Sequence, residues 1–591
     1  MARPVPAQRA EALLQKVPEQ LRRAFGLRRL RPGQRDVIER VLRGQSTLAV
    51  MPTGAGKSLC YQLPATLLDG ITVVVSPLIA LMQDQCDKLV QLGVAAVQLN
   101  SAVEPEQVAA AEQAIADGSA RIAFVTPERL AEPAFMALLA RRHIGLLVVD
   151  EAHCISHWGH DFRPAFTEVG TALPALGSPP VLALTATASE DVTADIARQL
   201  CIPAAGVLTG SSYRPNLRFS VETMNDEAAK LRRTIELLSD EPGAAIVYAA
   251  TVKAAEGVHA ALREAGLPAG LYHGQLRVAE RQAAQQAFMA GEADGGRLMV
   301  ATNAFGLGID KSDIRLVLHY QLPSGLDVYY QEAGRAGRDG EPARCKLLYL
   351  PADRAVQQFF LNSRYPTVDD GLKLLATLDT DPGDEPWTLA RLKARLQRPA
   401  TKLRVLLNLM RRQRWVDLDA GGRVHVRDGA AAIEGVESLL ARYVEKSEQD
   451  QQRLEQVVSY AQTGGCRWRM LLEAFEETPS FQRCDTCDNC RRMLAFESNA
   501  LMEETAAPPS SAAPVTPAVP AAAGSDAVPP LAASSAARFQ AGDAVRVRRY
   551  GEGVVTEATA EAVTVEFGGR NRRSFHPDFV RPGRATAAAP A

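Results

Sequence analysis

The sequence has almost no surplus of charge of either sign. Its 66 Lys and Arg residues nearly balance 68 Asp and Glu residues, and the formal net charge is −2. This balance excludes a polycation that attracts nucleic acid through its overall charge. Any contact with phosphate groups must come from local clusters of Lys and Arg.

Long apolar runs are also missing. No segment approaches the roughly 18 consecutive apolar residues that a membrane-spanning helix needs. The first nine residues, MARPVPAQR, lack the apolar core of a signal peptide. We therefore expect a cytoplasmic protein without a membrane partner. Five of the nine cysteines stand singly, and a reducing compartment favours metal binding by the other four over a disulfide.

Buried strands alternating with helices are the main pattern that is present. The 591 residues exceed what one hydrophobic core usually organises, so several domains are expected. Between about residues 40 and 350, short runs apolar on both faces alternate with helical patterns, as in parallel sheets covered by helices. The runs are TLAVMPT, ITVVVSP, RIAFVTP, IGLLVVDEAH, VLALTAT, AAIVYAA, RLMVATN and IRLVLHY. Because the alternation restarts after a polar stretch, we predict an α/β fold with two parallel-sheet lobes, residues 1–215 and 216–365.

The remainder of the chain divides into four segments of different composition. Residues 366–440 pattern as short helices followed by two short strands, which predicts a winged-helix-like segment, although such helix–hairpin patterns are common. A helical segment, 441–502, contains the grouped cysteines. Residues 503–537 are rich in Ala, Pro and Ser and too poor in large apolar groups to fold, which predicts a linker. Residues 538–584 alternate apolar and polar side chains and predict a small β-barrel.

A phosphate-binding loop is indicated by Pro-Thr-Gly-Ala-Gly-Lys-Ser at residues 52–58, between a strand-like and a helical run. Glycines let backbone N–H groups converge on phosphate oxygens, Lys57 can neutralise phosphate charge, and Ser58 can hold Mg²⁺. Alone, such a turn could be an idle surface loop. The predicted nucleotide-binding residues are Thr53, Gly54, Gly56, Lys57 and Ser58.

Acidic and basic groups elsewhere complete this chemistry. Asp150 and Glu151 end a buried strand, where Asp150 would hold Mg²⁺ and Glu151 would orient an attacking water. The alternative is a pair of solvated acids. In QEAGRAGR, Arg335 and Arg338 could stabilise charge on a transferring phosphoryl group, or could form surface ion pairs.

The chain resembles a known family. In order, it contains TGAGKS, SPLIALMQDQ, TPERL, DEAHCISHWGHDFRP, TATA, YRPNL, VYAAT, YHGQL, ATNAFGLGIDKSDIR and YYQEAGRAGRDG. Over roughly residues 20–350 this set closely resembles the superfamily-two helicases of the RecQ type. The resemblance implies two RecA-like lobes with ATP in the cleft, moving 3′ to 5′ on single-stranded DNA. It also implies that Gln34 reads the adenine and that Gln331, with both arginines, belongs to the catalytic set.

Three positions depart from the family pattern. Leu30 stands where the family usually has Phe, which bears on one stacking or packing contact. Ala55 stands where a third Gly is more frequent. His157 replaces the usual Gln or Glu in an aromatic-rich segment.

That segment, between Cys154 and Phe166, is a candidate DNA contact. Aromatic rings with an interleaved Arg can stack on unpaired bases while the cation meets phosphate. The alternative is that its aromatic residues belong to the core of the first lobe. The resemblance implies that Trp158, Phe162 and Arg163 couple DNA binding to ATP hydrolysis.

A metal site is predicted from C-x₁₇-C-x₂-C-x₂-C. Its four thiolates suit tetrahedral zinc and leave no open position for catalysis, although an iron–sulfur cluster uses the same ligands. The resemblance to the RecQ zinc-binding subdomain favours structural Zn²⁺. The ligands are Cys466, Cys484, Cys487 and Cys490.

The order of parts differs from the family, because the winged-helix-like segment precedes the cysteines. Its basic residues could face duplex phosphates or form an ordinary solvated helix face. They are Lys402, Arg404, Arg411, Arg412 and Arg414. The C-terminal segment resembles SH3-like or Tudor-like barrels and could bind a protein partner or nucleic acid.

We therefore expect a Mg²⁺-ATP-dependent DNA helicase that acts on single-stranded DNA and on 3′-tailed or forked duplexes. The family implies a role in recombination and repair, associated with the nucleoid in a bacterium. One alternative is an ATP-dependent RNA remodeller of the same superfamily. Another is a DNA-binding scaffold in which ATP acts as a switch, which the hydrolytic groups disfavour.

Overall fold

The computed structural model describes most of the chain as two compact units. The described residues are 6–77, 79–156, 164–186, 189–291, 296–306, 309, 311–380, 385–419, 422–427, 433–506, 539–547, 551–559, 562–567 and 571–583. One unit comprises Met1–Leu217, Val221–Val457 and Leu472–Thr478, and the other Arg218–Ser220, Val458–Leu471 and Pro479–Ala591. In the described part no helix is sufficiently long and apolar to cross a membrane.

The first lobe is built on a parallel sheet. Its strands are β1 (Thr47–Val50), β2 (Ile71–Val75), β3 (Ala96–Leu99), β4 (Ile122–Val125), β5 (Ile144–Val149), β6 (Val181–Thr185) and β7 (Val207–Thr209), in the order β3-β4-β2-β5-β6-β1-β7. Neighbours along β2 show why the central strands are largely apolar. Val73 and Val75 face one buried core while Val74 faces another. Helices therefore cover both faces of the sheet.

Those helices follow the strands in sequence. They are α1 (Ala7–Phe25), α2 (Gln34–Leu42), α3 (Leu59–Ala65), α4 (Ile79–Gln91), α5 (Pro105–Asp117), α6 (Pro127–Leu130), α7 (Pro133–Ala140), α8 (Thr167–Ala172) and α9 (Glu190–Gln199), with 3₁₀ turns at Ala152–Ile155, Pro164–Phe166 and Ala204–Gly206.

The second lobe repeats the architecture with a different strand order. Its strands are β8 (Leu217–Thr223), β9 (Ala244–Tyr248), β10 (Gly270–Tyr272), β11 (Leu298–Ala301), β12 (Ile314–His319) and β13 (Ala343–Tyr349), ordered β10-β11-β9-β12-β13-β8. Its helices are α10 (Glu227–Ser239), α11 (Val252–Glu264), α12 (Val278–Ala290), α13 (Leu326–Ala333) and α14 (Asp353–Arg364). Since β7 lies in the first sheet and β8 in the second, the chain changes sheet between Thr209 and Leu217. The predicted α/β fold with two parallel-sheet lobes is confirmed.

A small helical subdomain with a hairpin follows the lobes. It contains α15 (Val368–Leu378), α16 (Leu389–Leu396), α17 (Ala400–Arg412), β14 (Val416–Leu418) and β15 (Val424–Val426). Its strands pair antiparallel, as a winged-helix-like segment requires. The long helix α18 (Ile433–Gln462) adds Val436 and Leu440 to the same core. The helix therefore runs through position 440, where we placed the boundary, because its first turns complete the preceding core.

The second unit contains the end of α18, α19 (Arg467–Ala474) up to residue 471, α20 (Asp488–Ala506) and a C-terminal sheet. The sheet consists of β16 (Ala544–Val547), β17 (Gly551–Ala558), β18 (Val563–Phe567), β19 (Asn571–Phe575) and β20 (Val580–Pro582), with a 3₁₀ turn at Pro577–Phe579. Its order is β19-β18-β17-β16-β20, and all its pairings are antiparallel. Closure of this sheet into a barrel stays a prediction.

Helix α20 ends at Ala506, beyond position 503, where we placed the start of the linker. Residues 500–504, ALMEE, are good helix formers, which explains the extension. The rest of the predicted linker lies outside the described residues.

The core of the winged-helix-like segment gives a first test. Leu406 on α17 is 0% exposed, whereas Asn408, two residues further, is exposed. We expect Leu406→Ala to destabilise the segment by about 2–5 kcal/mol, because it removes apolar contacts and leaves a cavity. Hydrogen exchange across α17 should accelerate in Leu406→Ala and stay unchanged in Asn408→Ala. Equal protection in the two variants would contradict the packing described here.

Candidate active site and metal centre

The phosphate-binding loop joins β1 to α3, and its backbone needs glycine. Gly54 and Gly56 have φ angles of +87° and +78°, which other residues rarely adopt. A Cβ atom on Gly56 would also lie 2.6 Å from Nε2 of Gln34. The loop therefore has the conformation and the space to bring backbone N–H groups close to a ligand.

The Gln34 side chain is hydrogen-bonded to the main chain of this loop. Its Nε2 donates to the carbonyl oxygens of Ala55 and Gly56 at 3.0 and 2.9 Å, and its Oε1 accepts from the Arg31 N–H at 2.8 Å. The side chain is only 2% exposed. Recognition of adenine by Gln34 stays a prediction. Leu30, close by in sequence, packs partly buried against the core of the lobe.

Lys57, Asp150 and Glu151 share one buried corner of the first lobe. Lys57 Nζ donates to the carbonyl of Met51 at 3.2 Å. Burial lowers the pKa of Lys57, although the nearby carboxylates oppose the shift. Burial and the charge of Glu151 raise the pKa of Asp150 to about 7, although Lys57 opposes this. The surrounding protein therefore compensates the charges of Lys57 and Asp150 only in part.

Glu151 presents a polar atom suited to a ligand. Its φ angle is +50°, and its Oε2 is buried without a hydrogen bond, 3.3 Å from His153 Nδ1. His153 Nδ1 also lies 3.2 Å from the Thr185 hydroxyl at the end of β6. Together with the Ser58 hydroxyl and the Asp150 carboxylate, these oxygen groups suit a divalent cation and a water beside a nucleotide. The link between His153 and Thr185 was not predicted from the sequence.

The second lobe contributes its predicted residues to the same cleft. Gln331 on α13, with Arg335 and Arg338 just after it, lines a cavity of about 550 Å³ together with Lys57 and Glu151. Arg335 is only 4% exposed. All the predicted nucleotide-binding and catalytic residues therefore lie around one cleft.

Glycines let the two lobes meet closely there. A Cβ atom on Gly334 would lie 3.1 Å from Thr53 Cβ in the phosphate loop of the first lobe. Within the second lobe, a Cβ atom on Gly306 would lie 2.7 Å from Arg335 Nη2. Arg214, in the segment between the lobes, also reaches the phosphate loop. The YRPNL string contains this residue, but nothing in the string alone assigns it a contact.

The predicted DNA-contacting residues Trp158, Phe162 and Arg163, and His157, lie outside the described residues. The structure describes the chain on both sides of them. Cys154 and Phe166 are 1% and 0% exposed and belong to the core of the first lobe.

The basic residues of the winged-helix-like segment divide into two kinds. Lys402 Nζ lies 2.9 Å from a carboxylate oxygen of Asp370, which is 3% exposed, so this lysine stabilises the subdomain. Arg404, Arg411 and Arg414 are exposed. Only these three, among the basic side chains that the structure describes at the predicted positions, are presented to solvent for a phosphate contact.

The four predicted metal ligands come together. The sulfur atoms of Cys466, Cys484, Cys487 and Cys490 all lie within 4.8 Å of one another, and all four residues are buried. Tetrahedral zinc with Zn–S bonds of about 2.3 Å requires sulfur atoms about 3.8 Å apart. The cluster therefore fits a four-thiolate zinc site.

Hydrogen bonds around the cysteines fix their arrangement. The N–H groups of Cys487 and Cys490 donate to the sulfurs of Cys484 and Cys487, each at 3.4 Å. Asn489 Nδ2 donates to the carbonyls of Thr463 and Gly465 at 2.8 Å. These contacts hold the chain around the metal-binding cysteines.

Family models match the regions that form these sites. Residues 31–196 match the DEAD/DEAH box helicase model, residues 229–340 the helicase conserved C-terminal domain, and residues 433–491 the RecQ zinc-binding model. These matches assign the two lobes to helicase domains and the segment that contains the cysteines to the RecQ zinc-binding domain.

Comparison with known proteins narrows this class. The chain is 41% identical over 341 residues to the ATP-dependent DNA helicase RecQ of Haemophilus influenzae, covering 58% of this chain and 54% of the relative. It is 40% identical over 351 residues to RecQ of Bacillus subtilis, covering 59% and 58%. It is 39% identical over 375 residues to the probable ATP-dependent DNA helicase RecS of Bacillus subtilis, covering 63% and 74%. The chain belongs to the RecQ family of ATP-dependent DNA helicases, and it spans little more than half the length of the first two relatives.

The cysteine cluster yields a test of the metal. We expect the purified chain to contain about one zinc ion, and Cys487→Ser to lose it, because a three-thiolate site binds zinc more weakly. Elemental analysis measures the content directly. Cys201→Ser, at an exposed cysteine, is the control and should keep the metal. Iron with a visible absorption band would instead show an iron–sulfur cluster.

The raised pKa of Asp150 predicts a pH-dependent stability. Its pKa is 3.8 in the unfolded reference and about 7 in the fold. The charged carboxylate therefore lowers stability above about pH 7, and this loss shrinks as the pH falls toward 3.8. Without nucleotide, Asp150→Asn should raise the midpoint of thermal unfolding more at pH 8 than at pH 5.5. The exposed Asp240→Asn should show no such difference, and equal shifts at both pH values for Asp150→Asn would refute the prediction.

Proposed function

We propose that the chain is an ATP-dependent DNA helicase that moves 3′ to 5′ on single-stranded DNA and unwinds 3′-tailed or forked duplexes. One observation carries the proposal. In a chain of the RecQ family, the phosphate loop, the Asp150–Glu151 pair and the arginines of the second lobe surround one cleft. That set contains both the groups that bind a nucleoside triphosphate and those that hydrolyse it.

Each residue has a distinct role in this proposal. Backbone N–H groups of Thr53, Gly54 and Gly56 bind phosphate oxygens, and Lys57 neutralises their charge. Ser58 and Asp150 hold Mg²⁺, which when bound offsets the charge of the phosphates. Glu151 orients the attacking water. Gln331, Arg335 and Arg338 stabilise the charge that develops on the transferring phosphoryl group.

Movement follows from the division of this site between lobes. Because Arg335 and Arg338 belong to the second lobe, hydrolysis requires the lobes to be closed. Reopening after hydrolysis shifts one lobe along the strand. In the proposal, Trp158, Phe162 and Arg163 contact unpaired bases and phosphate, which makes hydrolysis depend on DNA.

The family relationship supports a role in DNA recombination and repair, which would place the protein with the nucleoid in a bacterium. The exposed arginines of α17 offer a contact for duplex phosphates. The C-terminal sheet offers a surface for a protein partner. Both are proposals that rest on exposure and charge.

Glu151→Gln tests the proposed mechanism. It should lower DNA-stimulated ATP turnover by about 10²-fold or more, because the amide cannot polarise water as the carboxylate does. Nucleotide binding should persist. Glu106→Gln, at an exposed residue of the same lobe, is the matched control and should remain active.

Paired substrates separate the alternative functions. Turnover and unwinding are measured with 3′-tailed DNA and with a matched 3′-tailed RNA duplex. Stimulation by RNA alone would show an RNA remodeller. Nucleotide binding without stimulated hydrolysis in the native chain would show an ATP-dependent switch and would exclude the motor.

A further inference from the structure

Arg214 joins the two halves of the cleft through main-chain carbonyl groups. Its Nη1 donates to the carbonyl oxygens of Thr53 at 3.2 Å and Gly334 at 2.6 Å. Its Nη2 donates to those of Ala336 at 2.8 Å and Gly337 at 2.6 Å. Thr53 belongs to the phosphate loop, whereas the other three surround Arg335 in sequence. One guanidinium therefore touches both the loop that binds phosphate and the turn that carries the catalytic arginines.

A glycine in the phosphate loop leaves room for the Arg214 side chain. A Cβ atom on Gly54 would lie 3.2 Å from Arg214 Nη1 and 3.4 Å from Arg338 Cγ. The glycine thus leaves room for both arginine side chains against the phosphate loop. Burial lowers the pKa of Arg214, and the four carbonyl dipoles compensate its charge.

The segment that carries Arg214 is held on both sides. The Ser212 N–H donates to both carboxylate oxygens of Glu477 at 3.0 Å, and the Ser212 carbonyl accepts from the Tyr330 hydroxyl at 2.6 Å. Asn216 Nδ2 donates to the carbonyl of Gly337 at 2.8 Å. These contacts fix the backbone on both sides of Arg214.

We propose that Arg214 is a positioning residue for hydrolysis. It sets the distance between the phosphate loop and the turn after α13, so that closure of the lobes and placement of Arg335 and Arg338 occur together. Arg214 would contact no reacting atom itself. This inference rests on the proposed ATP hydrolysis and assigns the residue that couples closure to it.

The planar, branched guanidinium group suits this positioning role. Two nitrogen atoms of a planar group serve four carbonyls on two lobes, which the single nitrogen of lysine cannot do. We expect Arg214→Lys to keep the charge and lose most of the positioning. A small displacement of catalytic groups lowers rates by about 10²-fold, which sets the expected loss for Arg214→Ala.

The first experiment measures steady-state ATP turnover with saturating single-stranded DNA. Arg214→Ala should lower kcat by about 10²-fold and change KM for ATP by less than about threefold, because the phosphate loop itself is intact. Arg214→Lys should fall between this variant and the native chain. Arg218→Ala, at an exposed arginine nearby, should match the native chain. A general loss of folding would also lower the thermal unfolding midpoint, so this is measured for each variant.

A multiple-mutant comparison tests whether Arg214 acts through Arg335 and Arg338. If it does, adding Arg214→Ala to the variant that carries both Arg335→Ala and Arg338→Ala should lower turnover no further. Multiplicative losses, native-like turnover of Arg214→Ala, or a change confined to KM would each overturn the inference while leaving the proposed function intact. A native chain without DNA-stimulated hydrolysis would overturn both.

Discussion

The close packing of the phosphate loop against the turn after α13 is the constraint on which the rest of the active site depends. The main chain of the second lobe comes close to the phosphate loop here, because a Cβ atom at Gly334 would lie only 3.1 Å from Thr53 Cβ. The two sheets supply rigid supports, because each is buried on both faces by helices. The glycines then permit contact where the supports meet. Their main role here is to bring the lobes together, in addition to making turns.

Several polar contacts around the phosphate loop are made to backbone carbonyl groups. Gln34 binds the carbonyls beneath the phosphate loop, and Arg214 binds carbonyls on both sides of the cleft. Carbonyls keep their places when side chains rotate, so they define positions more reliably than ion pairs would. An arginine that binds four carbonyl groups is positioned by two loops at once. If the lobes separate, the guanidinium can keep only the carbonyls of one side, either that of Thr53 or the three that surround Arg335.

Much of this arrangement could be predicted from the sequence, for identifiable reasons. The buried strands that carry the site, such as β1 and β5, are largely apolar, and the residues that follow them have recognisable chemistry. Strand β13 has the burial pattern of a half-covered strand and includes Arg344 and Lys346. Its composition therefore did not identify it as a strand of the sheet. Strands β3 and β10 are short and only partly buried. The contacts of Arg214 could not be predicted, because carbonyl partners leave no trace in a pattern of side chains.

The helix α18 shows a different limit. Its amphipathic pattern is continuous over 30 residues, yet its first turns pack with the winged-helix-like core and its end belongs to the unit that contains the cysteines. A domain boundary predicted from composition falls inside such a helix. The sequence shows which side chains of the helix are apolar, but not which part of the protein they pack against. Tertiary contacts therefore decide domain limits that local composition leaves open.

The electrostatics of the cleft explain why such a site is built from a rigid frame. Burial lowers the pKa of Lys57 and raises that of Asp150, so each group is disfavoured in the charged form in which it would act. In a flexible site, Lys57 and Asp150 could turn toward water and regain hydration. The rigid backbone prevents this, because Lys57 lies in a loop that Gln34 holds and Asp150 follows a strand in the middle of the sheet. A ligand that brought negative charge to Lys57 and positive charge to Asp150 would offset the free energy lost in holding these groups away from water. The stability of the first lobe would then depend on whether its site is occupied.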